Sequence, residues 1–259
     1  MQKKKKALTS KKSLLKKSIA VPKKSFSKEI ERTKTGINGF DELVEGGIPR
    51  GAFVLLSGGT GTGKSIFGMN FLASGIDLNE PGVYISLEES YDENRLQMQL
   101  FGWDIEEMQR QKKLIIAQPK MYDFDRLIEL LQDAVTSIGA KRVVIDSISI
   151  LELYFKDKFD TRHSIINLST ALKEIGVTTI AITEIDEGTG RLSRDSVEEF
   201  VSDGVIVLHI EKKDNIMSRA ISVRKMRATN HSMKIHPMKI EKKKGIVIYP
   251  FEESFEDYK

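Results

Sequence analysis

Three observations predict an α/β protein built on a mainly parallel, twisted sheet with helices on both faces. From residue 35 onward, short apolar runs rich in Val, Ile and Leu alternate with longer segments of helical spacing. Strand alternating with helix implies right-handed crossovers, and such crossovers place helices over both faces of a parallel sheet. After Asp203 the helical segments stop and strand-like runs follow one another, which predicts antiparallel strands added at one edge.

The elements follow in chain order. Residues 1–31 are lysine-rich, of low complexity and short of large apolar side chains, so they predict a disordered tail ahead of one domain over 32–259. The first 34 residues carry thirteen Lys or Arg against Glu29 and Glu31, a charge of +11, while the chain as a whole carries +4. The body is therefore mildly acidic, at −7, and the basicity belongs to the tail. Such a tail is a solvated arm, a nonspecific contact for nucleic acid through counterion release, or a contact for an acidic partner or anionic surface. It has no aromatic residue before Phe26 and so no ladder for base stacking.

Beyond the tail, FVLLS (53–57), VYISL (83–87), LIIAQ (114–118), RVVIDS (142–147) and TTIAIT (178–183) read as strands. SIFGMNFLASGIDL, ENRLQMQLFGW, FDRLIELLQDAVTSIG and RHSIINLSTALKEIG between them have helical spacing. Phe101 and Trp103 read as packing residues at a helix end, with Gly102 as the turn. GVIVLHIE, RAISVRKMRA and GIVIYP are the late strands, His236 before Pro237 reads as a loop residue, and residues 187–196 read as a mobile polar loop.

SGGTGTGKSIF follows the strand FVLLS directly and opens a helix. Gly58, Gly63, Lys64 and Ser65 fit the phosphate-binding pattern, and Gly58, Gly59, Thr60, Gly61, Thr62, Gly63, Lys64, Ser65 and Ile66 form the candidate nucleotide loop. Glycines let successive backbone N–H groups converge on phosphate oxygens, and the helix N-terminus adds positive potential. Lys64 would neutralise the outer phosphates of ATP, and the Ser65 hydroxyl would hold Mg2+. Asp146 ends the apolar run RVVID and is the candidate carboxylate for the metal's water shell. Glu88 and Glu89 end VYISL at the sheet edge where doubly wound folds bind ligands, and either is a candidate base for hydrolysis. Their plainer alternative is to favour the positive end of the next helix.

Composition excludes other chemistries. With no cysteine there is neither disulfide nor thiolate metal site, and His163, His209, His231 and His236 show no metal spacing. No run of about 18 apolar residues exists and the N-terminus lacks the apolar core of a signal peptide, so a cytoplasmic protein is expected.

TGINGFDELVEGGIPRG, GGTGTGKS, the Glu pair in SLEES, FGWD, RVVIDSIS, SVEEFVSDGVIVL and KMRATNH stand in an order and spacing that resemble the KaiC-like ATPases, relatives of RecA and RadA. The resemblance implies a RecA-like P-loop core that assembles into a homo-oligomeric ring, commonly a hexamer, with ATP between subunits. It implies that Lys225, Met226, Arg227, Thr229 and His231 reach the nucleotide of the adjacent subunit. If that segment is a strand, residues 225, 227, 229 and 231 share a face. A cation arriving in trans offsets charge on the γ-phosphate. The glycine usual after the arginine is Ala228 here, and Ala disfavours positive φ. Some KaiC domains phosphorylate an adjacent Ser-Thr pair. Here Glu199 and Phe200 stand in that place, so the resemblance is to the hydrolysing type, without autokinase activity. Two alternatives stay open at this stage: a non-hydrolysing ATP-dependent assembly switch, and a DNA-binding RecA-like ATPase.

Overall fold

The computed structural model describes residues 29–119, 124–153, 155, 157–185, 198–213 and 215–251. Most of the predicted tail and the loop expected over 187–196 lie outside the described residues. Two short strands, β1 (Arg32–Thr33) and β2 (Ile48–Pro49), pair antiparallel ahead of the main sheet.

Among the described residues the main sheet has nine strands: β3 (Phe53–Gly58), β4 (Gly82–Ser86), β5 (Leu114–Ala117), β6 (Arg142–Asp146), β7 (Thr178–Glu184), β8 (Gly204–Lys213), β9 (Ile216–Met226), β10 (Ile235–Glu241) and β11 (Gly245–Ile248). Their order is β11-β10-β9-β8-β3-β7-β6-β4-β5. The five strands read from the apolar runs are β3 to β7, all parallel, as the alternation with helices requires.

Three features differ from the sequence reading. Strand β8 is not one of the antiparallel additions; it pairs parallel with β3 and turns the sheet antiparallel only at its hairpin with β9. Strand β10 is not among the strands the sequence predicts, which puts His236 before Pro237 in a loop; a proline ordinarily argues against an inner strand. His236 is accordingly a buried strand residue. Strand β9 stops at Met226, where the Arg227 amide turns to the Asp203 carbonyl at 2.8 Å and Ala228 takes φ +54°. Lys225, Arg227, Thr229 and His231 therefore do not form one strand face.

Among the described residues six α-helices flank the sheet: α1 (Lys64–Asp77), α2 (Tyr91–Gln99), α3 (Ile105–Arg110), α4 (Phe124–Ile138), α5 (Lys158–Ile175) and the short α6 (Glu198–Val201). Helix α1 lies on one face, where Phe67, Phe71 and Leu72 pack with Tyr84, Val144 and Ile182 of the sheet. It is apolar nearly all round because Phe40 packs edge to face on Phe67 at 5.3 Å from the far side. Helices α4 and α5 cover the other face, where Leu127, Leu131, Leu168 and Leu172 meet Val143 and Ile145. Phe101 and Trp103 pack together at 5.2 Å beside Gly102, φ +80°, the turn expected there.

Candidate nucleotide-binding site

In a parallel sheet every strand ends at the same edge, so residues far apart in sequence converge there. The glycine loop leaves β3 at that edge, Glu88 and Glu89 follow β4, Asp146 closes β6 and Glu184 closes β7.

The loop is shaped for backbone approach. Gly58 is tightly enclosed: a Cβ there would lie 2.8 Å from Thr62 Oγ1 and 2.9 Å from the Leu208 carbonyl oxygen. Gly63 caps α1 with φ +104°, a conformation that only glycine takes readily. Thr62 donates to the Gly59 carbonyl at 2.8 Å, and Lys64 Nζ donates to the carbonyls of Gly58 at 3.0 Å and Gly59 at 2.9 Å, with Glu184 at 3.8 Å. The lysine is 8% exposed, so its charge is focused at the helix start. From the adjoining strand β9, Arg219 Nε donates to the Gly61 carbonyl at 3.1 Å.

Asp146 sits beside this helix start. Burial raises its pKa, while hydrogen bonds from the Tyr84 and Ser65 hydroxyls and the charge of Lys64 pull the other way. Tyr84, fully buried, donates to Asp146 Oδ2 at 2.6 Å. The Asp146–Ser147 peptide bond is cis. The donor set of Ser65 and Asp146 is all oxygen, which suits Mg2+, and the loop has the glycines that a phosphate cradle needs.

The two glutamates stand in a turn pinned to the end of β6. The Leu87 amide bonds the Asp146 carbonyl at 2.7 Å, and Ser86 Oγ bonds the Glu89 carbonyl at 2.6 Å. Glu88 Oε1 accepts from Ser147 Oγ at 2.5 Å, and Glu89 Oε2 accepts from Gln97 at 3.3 Å. Burial first, then the charge of Asp146, hold the Glu89 carboxyl above its ordinary value. Neither glutamate caps α2: Ser90 is its N-cap, and Glu93 completes a capping box with it. The hydrogen-bonding cap of α2 is thus supplied by Ser90 and Glu93.

The basic segment lies elsewhere. Lys225 and Met226 pair with Val205 and Gly204 at the start of β8, four residues of β3, or roughly 13 Å, from the phosphate loop. Lys225 Nζ donates to the carbonyls of Glu199 at 2.9 Å and Ser202 at 2.6 Å, and Met226 is buried in this chain's core. Arg227, exposed, reaches Asp203 at 3.2 Å. Thr229 accepts from Arg32 at 2.9 Å, and His231 Nδ1 lies 3.0 Å from the Ser232 carbonyl. Tyr84, Arg219 and Arg32 are not among the candidates that the sequence offers. The one available signal is the hydroxyl of Tyr84, which with Ser86 breaks the apolar run VYISL.

A profile of the KaiC ATPase family matches residues 33–253. The chain belongs to the KaiC family. A UPF0273 protein of Aeropyrum pernix is 37% identical over 240 residues, covering 85% of this chain and 94% of its own length. A UPF0273 protein of Pyrococcus furiosus is 39% identical, covering 85% and 95%. The circadian clock oscillator protein KaiC of Parasynechococcus marenigrum is 37% identical over 87% of this chain but only 46% of its own length. Among solved structures, a KaiC-like protein of Pyrococcus horikoshii matches with TM-score 0.79 and 44% identity, covering 85% of this chain and all of its own. The mainly parallel sheet with C-terminal antiparallel strands is thus the fold of the KaiC-like proteins. Among the described residues no helix is long and apolar enough to cross a membrane, and no cluster of three or more His, Asp or Glu could hold a metal ion.

Proposed function

We propose that this KaiC-family protein binds ATP with Mg2+ in the loop Gly58 to Ile66 and hydrolyses it within a homo-oligomeric ring. The observation that carries the reading is the junction of two strand ends: Glu88 bonds Ser147, the residue after Asp146, so the candidate base and the candidate metal carboxylate form one unit beside Lys64. An assembly switch that only binds nucleotide needs no such pair.

Mg2+ bound there would supply positive charge to the outer phosphates. The loop amides and Lys64 would bind the phosphates, Ser65 and Asp146 would hold the metal and its water, and Glu88 or Glu89 would orient the attacking water and take its proton. The cavity of about 440 Å3 lined by Arg219, Met238 and Ile240 adjoins the loop and receives the nucleoside. Arg219 touches Gly61, and Ile240 lies where a Cβ on Gly63 would point.

Lys225, Met226, Arg227, Thr229 and His231 act on the neighbouring subunit's nucleotide. Supporting this is their place at the opposite end of the sheet from their own loop. Arg227 supplies the charge, because Lys225 is engaged by two carbonyls and Met226 offers only its backbone. Phosphate release at saturating ATP and Mg2+ tests the reading. Wild type turns over above background, and the Glu88→Gln, Glu89→Gln double variant falls to it. Equal rates in the two proteins overturn hydrolysis at this site.

A further inference from the structure

The carboxylate of Asp146 has a partner that the hydrolytic scheme does not use. Tyr84 stands on β4 two residues before Ser86, which is the register partner of Asp146 on β6. Side chains two apart on a strand share a face, so the tyrosine ring points the same way as Asp146 and reaches it along the diagonal. The ring is wholly buried under α1, among Phe67, Phe71 and Val144. From that apolar layer only the hydroxyl extends to the site, where it donates to Asp146 Oδ2 at 2.6 Å.

We infer that Tyr84 is a positioning residue for magnesium: its hydroxyl occupies one oxygen of Asp146 and so fixes the rotation of the carboxylate that faces the metal's water shell. The inference rests on the reading of Asp146 given under Proposed function. A carboxylate at the end of a strand is free to turn about its Cβ–Cγ bond, and each turn changes which lone pairs face the metal. A donor locked by core packing on both sides of its ring removes that freedom. Partners of this kind, one step behind a metal site, commonly change metal affinity by about tenfold to a hundredfold when removed. A tyrosine kept only for packing would bury its ring equally well as phenylalanine, because the hydroxyl adds a polar atom that the core must satisfy.

The test is magnesium titration of the binding of a fluorescent ADP analogue to the full chain, for wild type and Tyr84→Phe, with a parallel titration in EDTA. For Tyr84→Phe the expected result is a magnesium midpoint raised about tenfold, with metal-free nucleotide affinity within twofold of wild type. In the Asp146→Asn background the same substitution should shift the midpoint much less than tenfold, because the hydroxyl donates to that carboxylate and its other polar neighbour is the Ser65 hydroxyl; an undiminished shift there overturns the inference. Tyr84→Leu, which also lacks the hydroxyl while filling most of the space, serves where Tyr84→Phe does not fold, and should give the same shift. Equal magnesium midpoints in wild type and a folded variant overturn the inference while leaving nucleotide binding intact. A wild type that binds no nucleotide overturns the ATP reading itself, and this inference with it.

Discussion

Arg142 is the largest fully buried side chain among the described residues, and its surroundings explain how a cation is held there. Its guanidinium takes Glu80 through two nitrogens at 2.8 and 2.6 Å, donates to the carbonyls of Phe71 and Lys34 at 2.8 Å each, and lies 4.7 Å from the Phe71 ring centroid. A Cβ on Gly75 would fall 2.5 Å from its side chain, so that helix position must stay small. One residue thereby ties the N-terminal segment, α1 and the β4 approach to the start of β6. Replacing it with alanine removes the donor of two carbonyls and leaves Glu80 with Arg50 alone, at 3.3 Å, and Arg142→Ala is expected to lower the unfolding free energy by about 3 kcal/mol. Urea denaturation measures this, and a loss below about 1 kcal/mol would show that other donors take over. His236 makes a second prediction at this scale. Burial holds its imidazole below its ordinary value, and its Nε2 meets Ser232 Oγ at 2.7 Å. The unfolded chain therefore binds a proton near pH 6.5 that the folded chain refuses, and stability falls as pH drops through that value. The melting temperature should decline from pH 7.5 to 5.5 in wild type and decline less steeply in His236→Gln. Parallel slopes would mean that other groups, such as His209, whose pKa burial also lowers, carry the effect.

At the scale of elements, the segment after β9 shows how a loop is held in a conformation its own residues disfavour. Ala228 sits at φ +54°, where an L-residue other than glycine costs roughly 1 kcal/mol. Arg32 of β1 braces it, donating to the Ala228 carbonyl at 3.2 Å and to Thr229 at 2.9 Å, while Glu45 pairs with Arg32 at 2.9 Å and accepts from the Asn230 amide at 3.1 Å. The small β1–β2 ribbon thus acts as a clamp on the basic segment. Ala228→Gly relieves the left-handed strain and is expected to stabilise the fold by up to about 1 kcal/mol in chemical denaturation, with the clamp unchanged. A destabilised variant would mean that the extra freedom of glycine in the unfolded chain outweighs the relief.

At the scale of the whole molecule, the phosphate loop and the basic segment occupy opposite ends of one sheet, so neither can serve the other within a chain. A ring in which the top of one sheet meets the bottom of the next brings them together. Size measurement with and without ATP and Mg2+ should show an assembly that nucleotide stabilises. Rings mixed from Arg227→Ala and Lys64→Ala, each inactive alone, should regain activity if, as proposed, a Lys64→Ala protomer can lend its arginine to the intact loop of an Arg227→Ala neighbour. No recovery in the mixture, or full turnover by a monomer, contradicts the arrangement.

Periodicity and glycine spacing make the parallel core legible: β3 to β7 are short, mostly buried runs dominated by apolar residues, and the loop from Gly58 to Ser65 is a local backbone requirement written in consecutive residues. The family resemblance added the basic segment. What sequence could not reveal depended on neighbours far along the chain. Pro237 hid β10, whose pairing with β9 outweighs the missing amide donor, and β9 ends at Met226 because the Arg227 amide turns to the carbonyl of Asp203, 24 residues before it. The sequence alone therefore determined the fold class and the phosphate loop, since both rest on short-range pattern. Only the tertiary structure decided that Tyr84 reaches Asp146 from 62 residues away, that Glu88 is joined to the end of β6, and that Arg227 lies at the far end of the sheet, because packing sets contacts between strands that are neighbours in space alone.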